Sequence, residues 1–402
     1  MNLARTSCLF RTPNVLKRQY SSRLAEIASF SATSRDALPI KKNIVGLTLD
    51  QLQGDLQSIG ANEVRHFTAL QIWQHIYKQG VTRFHDMTSL PKRLREILDE
   101  RYIVDYGQVK LDKTSKDGTR KWLVGYNTSM QPNAVVESVL IPEPKRSTLC
   151  VSSQIGCSLR CSFCHTGTQK LLRNLTAAEV VGQYMIAAHR SGDFPLRPNE
   201  RSVSNMVFMG QGEPLYNWRN IRQAVKILTD PEGLQWPKPK ITISTSGVAP
   251  LIPKIASELG VSLAISLHAT RNDLRDVLVP LNKTYPIDMV LNACRQYAHL
   301  LKGGNMRRIT FEYVMLDNVN DSAHEARELV RLLKQLPAHV NLIPFNPWPG
   351  SQYKTSKMER IDKFAEIVIN GGIHCTVRRP RGQDIMAACG QLKSNAEQKG
   401  YI

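Results

Sequence analysis

Three cysteines mark where chemistry is concentrated in this chain. In the stretch CVSSQIGCSLRCSFCHTGT at 150–168, Cys157, Cys161 and Cys164 are spaced C-x3-C-x2-C, with Phe163 just before the third. Thiolates are soft ligands that suit zinc or iron, and three of them leave one position of a four-coordinate site open. A structural site closes all four positions, whereas an open one admits a substrate or cofactor. The triplet alone suits zinc, with Cys150 or His165 as fourth ligand, as well as it suits an iron–sulfur cluster. Downstream, Gly210-Gln-Gly212-Glu213-Pro214 offers glycines that let backbone approach a ligand, and a carboxylate able to accept from an ammonium group. As a lone motif it equally describes a tight turn after a strand.

The elements that must position these residues alternate. STLCVSS is followed by the helical pattern TAAEVVGQYMIAAHR, which Thr176 and Glu179 open as a capping box. SNMVFMG precedes NWRNIRQAVKILTD, KITISTSG precedes APLIPKIASELG, and VSLAISLHA precedes PIDMVLNACRQYAHLL. RRITFEYVML precedes SAHEARELVRLLKQL, and HVNLIPFNP precedes SKMERIDKFAEIVIN. Strand–helix units in such succession predict an α/β fold, a partial TIM-type (β/α)6 barrel built from right-handed crossovers, with a doubly wound open sheet as the alternative. The polar residues then recur just after strands: the cysteines after the first, GQGEP after the second, Ser244 and Ser246 at the third, Ser266 and His268 at the fourth, Asn346 at the sixth. A βα barrel projects all of these onto one face, and packing does not explain such a collection.

Ahead of the barrel, 44–106 reads as a small helical domain. Phe67, Leu70, Trp73, Ile76 and Tyr77 recur at helical spacing as one apolar face, and KRLREILDE carries Lys92, Arg93 and Arg95 on a polar face. Residues 107–145 read as a connection of strands, with Asp117-Gly118 at a hairpin turn and VVESVLIP as the strand after it. The barrel then spans 146–392, followed by a tail at 393–402.

Composition bounds the partners. The chain has 402 residues and a formal charge of +19. Residues 1–40 hold six Lys/Arg against two acids, so +15 remains elsewhere. Such an excess favours a polyanion, RNA or DNA, although a generally basic soluble protein has the same composition. The eight cysteines do not form the dense pattern of a secreted scaffold, and no apolar run approaches the ~20 residues of a membrane span. Residues 1–40 combine arginines, six serines and little acid, which is transit-peptide composition. Arg18-Gln-Tyr20 followed by Ser21-Ser22 resembles a mitochondrial processing site; the expectation is the mitochondrial matrix, with a plastid or the cytoplasm as alternatives.

Taken together, QIGCSLRCSFCHTGT, RNLT, MGQGEPLYN, STSGV, AISLHA, EYVMLD, NLIPFNP and AACGQL resemble the RlmN/Cfr family of radical S-adenosylmethionine (SAM) RNA methyltransferases, and its RlmN branch within it. The resemblance runs from about 44 to 392. It implies a 4Fe–4S cluster on Cys157, Cys161 and Cys164, whose open iron chelates SAM. Gly212, Glu213, Ser244, Ser266, Leu267, His268 and Asn346 match the family's SAM-binding positions. Cys389 matches the cysteine that is itself methylated, Cys150 its redox partner, and Glu137 the base. His165 and Gln211 fall at positions that vary in the family, and Cys8, Cys294 and Cys375 at none of its functional ones.

The resemblance also implies why radicals are needed. Carbon 2 of adenine is electron-poor and does not attack an electrophilic methyl group. In the family's scheme one SAM methylates Cys389 and a second is cleaved to a radical that takes hydrogen from that methyl. The carbon radical adds to the ring, Glu137 helps remove the ring proton, and Cys150 attacks the sulfur of Cys389, leaving a disulfide. Implied partners are large-subunit ribosomal RNA, transfer RNA, and an external electron donor of flavodoxin or ferredoxin type, with the protein a monomer off the membrane. Lys92, Arg93, Lys145, Arg146, Arg307, Arg308, Arg378, Arg379 and Arg381 are candidates for RNA backbone contacts. The rival readings are methylation at carbon 8 of the same adenine, and a non-catalytic zinc-bearing RNA-binding protein of the ribosome.

Overall fold

The computed structural model describes residues 41–58, 66–126, 134–197, 200–301 and 308–392. The leader with Cys8, Arg307 and the 393–402 tail lie outside the described residues. Ten strands form one sheet whose order follows the sequence. They are β1 (Gln108–Thr114), β2 (Arg120–Gly125), β3 (Val135–Glu143), β4 (Arg146–Cys150), β5 (Asn205–Phe208), β6 (Ile241–Thr245), β7 (Ser262–Ser266), β8 (Ile309–Met315), β9 (Ala338–Pro344) and β10 (His374–Val377). From β4 onward every pairing is parallel, and from β1 to β4 every pairing is antiparallel. The strand order never reverses, as it must in a doubly wound sheet, so the architecture is the partial barrel. It runs one parallel strand beyond the expected six: the short HCTV run is β10, paired with β9.

Helices cover the crossovers. After α1 (Leu49–Ser58), α2 (His66–Tyr77) and α3 (Lys92–Arg101) come α4 (Ala177–Ser191), α5 (Trp218–Thr229), α6 (Asn272–Leu278), α7 (Ile287–Leu300), α8 (Ala323–Leu333) and α9 (Met358–Asn370). The capping box forms: Thr176 Oγ1 accepts from Glu179 N at 3.3 Å, and Glu179 Oε2 accepts from Thr176 N at 2.8 Å. Gly192, at φ +73°, ends α4 in the left-handed conformation that glycine adopts freely. Residues 177–188 of α4 are buried on every side, because the N-terminal helical segment packs over the face turned away from the sheet. A Cβ on Gly182 would lie 2.5 Å from the Tyr106 carbonyl oxygen, so α4 and that segment touch backbone to backbone. The described residues from 43 onward share one large core, with a small separate cluster of Val139, Ala387 and Leu392.

The apolar face of α2 differs from the expected one. Ala69, Ile72, Trp73, Ile76 and Tyr77 are buried, whereas Phe67 is 62% exposed. The stripe at 69, 72, 73 and 76 is the true i, i+3, i+4, i+7 series, and Phe67 falls outside it.

Candidate active site

The chain leaves β4 at Cys150 and lies directly along the GQGEP turn. Ser153 N and Gln154 N donate to the Gln211 carbonyl at 2.8 and 3.1 Å, and Gln211 N donates to Ser152 Oγ at 2.9 Å. This approach explains the glycines. A Cβ on Gly212 would lie 2.5 Å from Gln154 Cβ, at a φ of +98° that L side chains avoid. The turn delivers Glu213 almost fully buried, its carboxylate accepting from Leu215 N at 3.1 Å and Ser246 N at 2.8 Å. Burial raises its carboxyl above the ordinary value, and those N–H groups oppose the shift.

One cavity at the C-terminal ends of the parallel strands is lined by Cys157, Cys161, Cys164, Gly212, Glu213, Ser244, Ser266, His268, Asn346 and Cys389. Its wall is rigid. His268 holds φ +61°, with Asn320 Nδ2 donating to its carbonyl at 2.9 Å and its Nδ1 accepting from Val314 N at 3.0 Å. Burial first, and the Arg275 charge second, lower the His268 pKa to about 3, so the ring is neutral. Arg275 is fully buried and binds the loops after β6 and β7 together, donating to the Ser246, Ser266 and Leu267 carbonyls at 2.7, 3.1 and 3.0 Å.

Cys389 arrives from the far end of the chain. The segment after β10 crosses the open side of the barrel, where Arg381 Nη2 donates to the Pro142 carbonyl at 2.8 Å and Gly382 N to Asp117 Oδ2 at 2.9 Å. Asn346 Nδ2 donates to the Cys389 carbonyl at 3.2 Å, and His165 N to the Gly390 carbonyl at 2.8 Å. A second, larger cavity adjoins the first, and its charged lining is Lys145, Arg146, Lys240, Arg378, Arg379 and Arg381 against Asp117, Glu143 and Glu312. Cys389 is in the wall of both cavities. Burial raises its thiol pKa, and the nearby Arg378 guanidinium pulls it back down.

Three expected residues line neither cavity. Leu267 is a core side chain, its N–H donating to the Glu312 carbonyl at 3.1 Å and its carbonyl accepting from Arg275 at 3.0 Å. Cys150 packs with Val139, Ile141, Ile385, Ala387 and Leu392 against the Cys389 segment, and burial pushes its thiol up to about 12. Glu137 lies on the same face of the sheet, two residues before Val139, which pairs with Cys150. Among the basic candidates, Lys92 and Arg93 sit on α3 and Arg308 precedes β8, all away from the second cavity. Sequence reasoning set Gln211 aside as a variable position, yet its Oε1 accepts from Glu137 N at 3.1 Å; it missed Gln183, whose Oε1 accepts from Ser138 Oγ and Ser152 N, each at 2.8 Å. A glutamine in the apolar run VVGQYMIAA was the available signal for Gln183.

Residues 151–333 match the family described as the Radical SAM superfamily, and residues 42–104 match the ribosomal RNA large subunit methyltransferase N-terminal domain. A dual-specificity RNA methyltransferase RlmN from Methylocella silvestris is 51% identical over 390 residues, covering 94% of this chain and 96% of that protein. The chain belongs to the RlmN family. Another RlmN, from Rhodopseudomonas palustris, is 52% identical over 368 residues, covering 89% of this chain and 91% of that one. The crystal structure of a radical SAM methyltransferase from Sphaerobacter thermophilus superposes with a TM-score of 0.80 at 43% identity, covering 88% of this chain and 99% of that one.

Membership of the RlmN family implies a 4Fe–4S cluster and SAM, and the residues present fit both. The three thiols ring one cavity, with Leu159 N pointing at Cys157 Sγ from 3.4 Å, the kind of donor that tunes a cluster sulfur. Burial pushes the Cys157 thiol up to about 12 and raises Cys161 and Cys164, so only a bound cation makes them thiolates near neutral pH. Among the described residues, no three His, Cys, Asp or Glu side chains converge as a single metal ion requires. His165, the candidate fourth zinc ligand, stacks on Trp348 at 4.7 Å with Nδ1 3.4 Å from the Gln391 carbonyl oxygen.

Proposed function

We propose that this RlmN-family enzyme methylates carbon 2 of adenine in large-subunit ribosomal RNA and in transfer RNA, with Cys389 carrying the methyl group. One observation carries the reading: Cys389 stands between a cavity with cofactor-binding groups and a second cavity lined with lysine and arginine. A thiol there can take a group from one side and deliver it to a polyanion on the other. The dual RNA specificity in the names of the Methylocella and Rhodopseudomonas proteins, and the ribosomal RNA large subunit methyltransferase N-terminal domain matched by residues 42–104, support an RNA substrate.

Cys157, Cys161 and Cys164 hold the cluster. Glu213 accepts from the SAM ammonium, and Gly212, Ser244, Ser266, the Leu267 backbone, His268 and Asn346 complete its pocket. Bound there, cluster and SAM supply an electrophilic methyl group and, after one-electron reduction by an external donor, a hydrogen-abstracting radical. The Cys389 thiolate, favoured by Arg378, would attack the methyl carbon of one SAM, with S-adenosylhomocysteine leaving. The methyl on Cys389 later loses a hydrogen atom, and its carbon bonds to the adenine ring. Glu137 takes the ring proton while the radical adduct gives up one electron, which the bound cluster would take back. The Cys150 thiolate then attacks Cys389 sulfur, the S–C bond breaks with its electron pair on the methylene carbon, which takes up a proton to give the methylated base, and a disulfide remains for an external reductant to reopen. SAM is thus used twice per turnover, once as methyl donor and once as radical source.

Anaerobic turnover of Cys150→Ala should leave RNA covalently bound to Cys389, and Cys389→Ala should give neither adduct nor product. Absence of the adduct would overturn the pairing of Cys150 with Cys389. Nucleoside mass spectrometry separates 2-methyladenosine from the carbon-8 isomer. The leader directs the enzyme to the mitochondrial matrix in this reading; a fluorescent fusion of residues 1–40 that stays cytosolic would refute that.

A further inference from the structure

Glu137 is deeply buried, and Lys121 meets its side chain. Lys121 Nζ lies 2.8 Å from Glu137 Oε1, with both side chains less than a tenth exposed. The same Nζ donates at 3.0 Å to the carbonyl of Met386, three residues before Cys389, which holds the strained φ of +53°. Sheet register explains how one lysine reaches both. Val139 pairs with Cys150 on one side and with Lys121 on the other, so Cys150, Val139 and Lys121 form a row across three strands. Side chains in such a row share a face, and Glu137 is the next residue on that face of β3. Lys121 therefore stands where the proposed base, the resolving cysteine and the methyl-carrying segment meet.

A lysine this buried is costly unless paired, and replacing it with a neutral residue would take the positive charge at 2.8 Å away from the buried carboxylate and favour its protonated form. A protonated Glu137 is no base. We propose that Lys121 is a positioning residue for RNA methylation, keeping the Glu137 carboxylate ionised and registering it to the segment that carries Cys389. This rests on the reading of Glu137 as the base.

The full-length enzyme with reconstituted cluster separates the two half-reactions. Intact mass reads methyl on Cys389, and nucleoside mass spectrometry reads methylated RNA. Lys121→Met should load Cys389 within about threefold of wild type while RNA methylation falls by roughly 100-fold or more, the range for loss of a general base. Lys121→Gln keeps a donor for the Met386 carbonyl without the charge, and should likewise load normally but methylate poorly. Lys121→Arg keeps the charge and should recover RNA methylation to within about tenfold of wild type. Combining Lys121→Met with Glu137→Gln should cost no more than Glu137→Gln alone, because residues acting through one another are not additive.

Loading and methylation falling in parallel would overturn the proposal, reducing Lys121 to a brace for the segment. Additive losses in the double variant would overturn it too. An inactive Glu137→Gln beside a fully active Lys121→Met would remove the role of Lys121 alone, whereas a fully active Glu137→Gln would remove the base assignment itself.

Discussion

Lowering the pH should unfold this protein in part through a single histidine. His268 is only 5% exposed, and its pKa is about 3 in the fold, whereas an unfolded histidine titrates near 6.5. Between those values the unfolded chain binds a proton that the fold excludes, so stability is lost as pH falls below about 6.5, at roughly 1.4 kcal/mol per pH unit. At about pH 5 the loss attributable to His268 is therefore about 2 kcal/mol. His268→Asn provides the control. Asparagine tolerates the φ of +61°, and its Oδ1 can accept from Val314 N as Nδ1 does now. Urea unfolding of the metal-free full chain at pH 7 and pH 5 should show wild type losing about 2 kcal/mol more than the variant, since every other titrating group is shared. Equal losses in the two proteins would refute the reasoning and mean that His268 takes up a proton without unfolding.

Gly212→Ala combines a positive φ with a 2.5 Å clash against Gln154; it should destabilise the fold by about 2–4 kcal/mol and weaken SAM binding at least about tenfold, measured by equilibrium dialysis. Alanine at any of Cys157, Cys161 or Cys164 should abolish the iron–sulfur absorbance of reconstituted protein, and one bound zinc without iron in wild type would overturn the cluster assignment. Asn346→Ala removes the amide that donates to the Cys389 carbonyl and accepts from Gln383 Nε2 at 3.0 Å; alkylation of Cys389, followed by mass spectrometry, should accelerate roughly tenfold. Thr176→Ala strips the capping box from α4 and should cost about 1–2 kcal/mol in chemical denaturation.

Much of the barrel was legible because period and punctuation agree. The β-branched runs alternate with helical spacing, and Thr176 with Glu179 marks a helix start that forms as read. The cysteine triplet and the GQGEP turn were legible because their chemistry is local in sequence. Phe67 was misread because apolar identity gives no direction, and α2 buries the stripe that the helices and sheet around it cover. Lys121 and Glu137 were not legible as a pair, since their meeting depends on antiparallel register between β2 and β3. Charge and spacing contain no trace of that register. The same holds for Gln211, whose side chain meets Glu137 N across 74 positions of sequence.

The strap that brings Cys389 to the site has a further consequence for how the enzyme fails. Its fastenings join residues very distant along the chain: Ser115 Oγ to Asp384 Oδ1 at 2.5 Å across 269 positions, and Thr166 Oγ1 to the Leu392 carbonyl at 2.6 Å across 226. They are mostly polar, and among the described residues the apolar cluster beneath has just Val139, Ala387 and Leu392 as buried members. Contacts of such span repay a large closure entropy with little buried hydrocarbon, which puts the strap among the last parts to form and the first to open. Warming should therefore release the methyl-carrying cysteine while the barrel is still intact, and methylation should be lost reversibly, several degrees before the sheet melts.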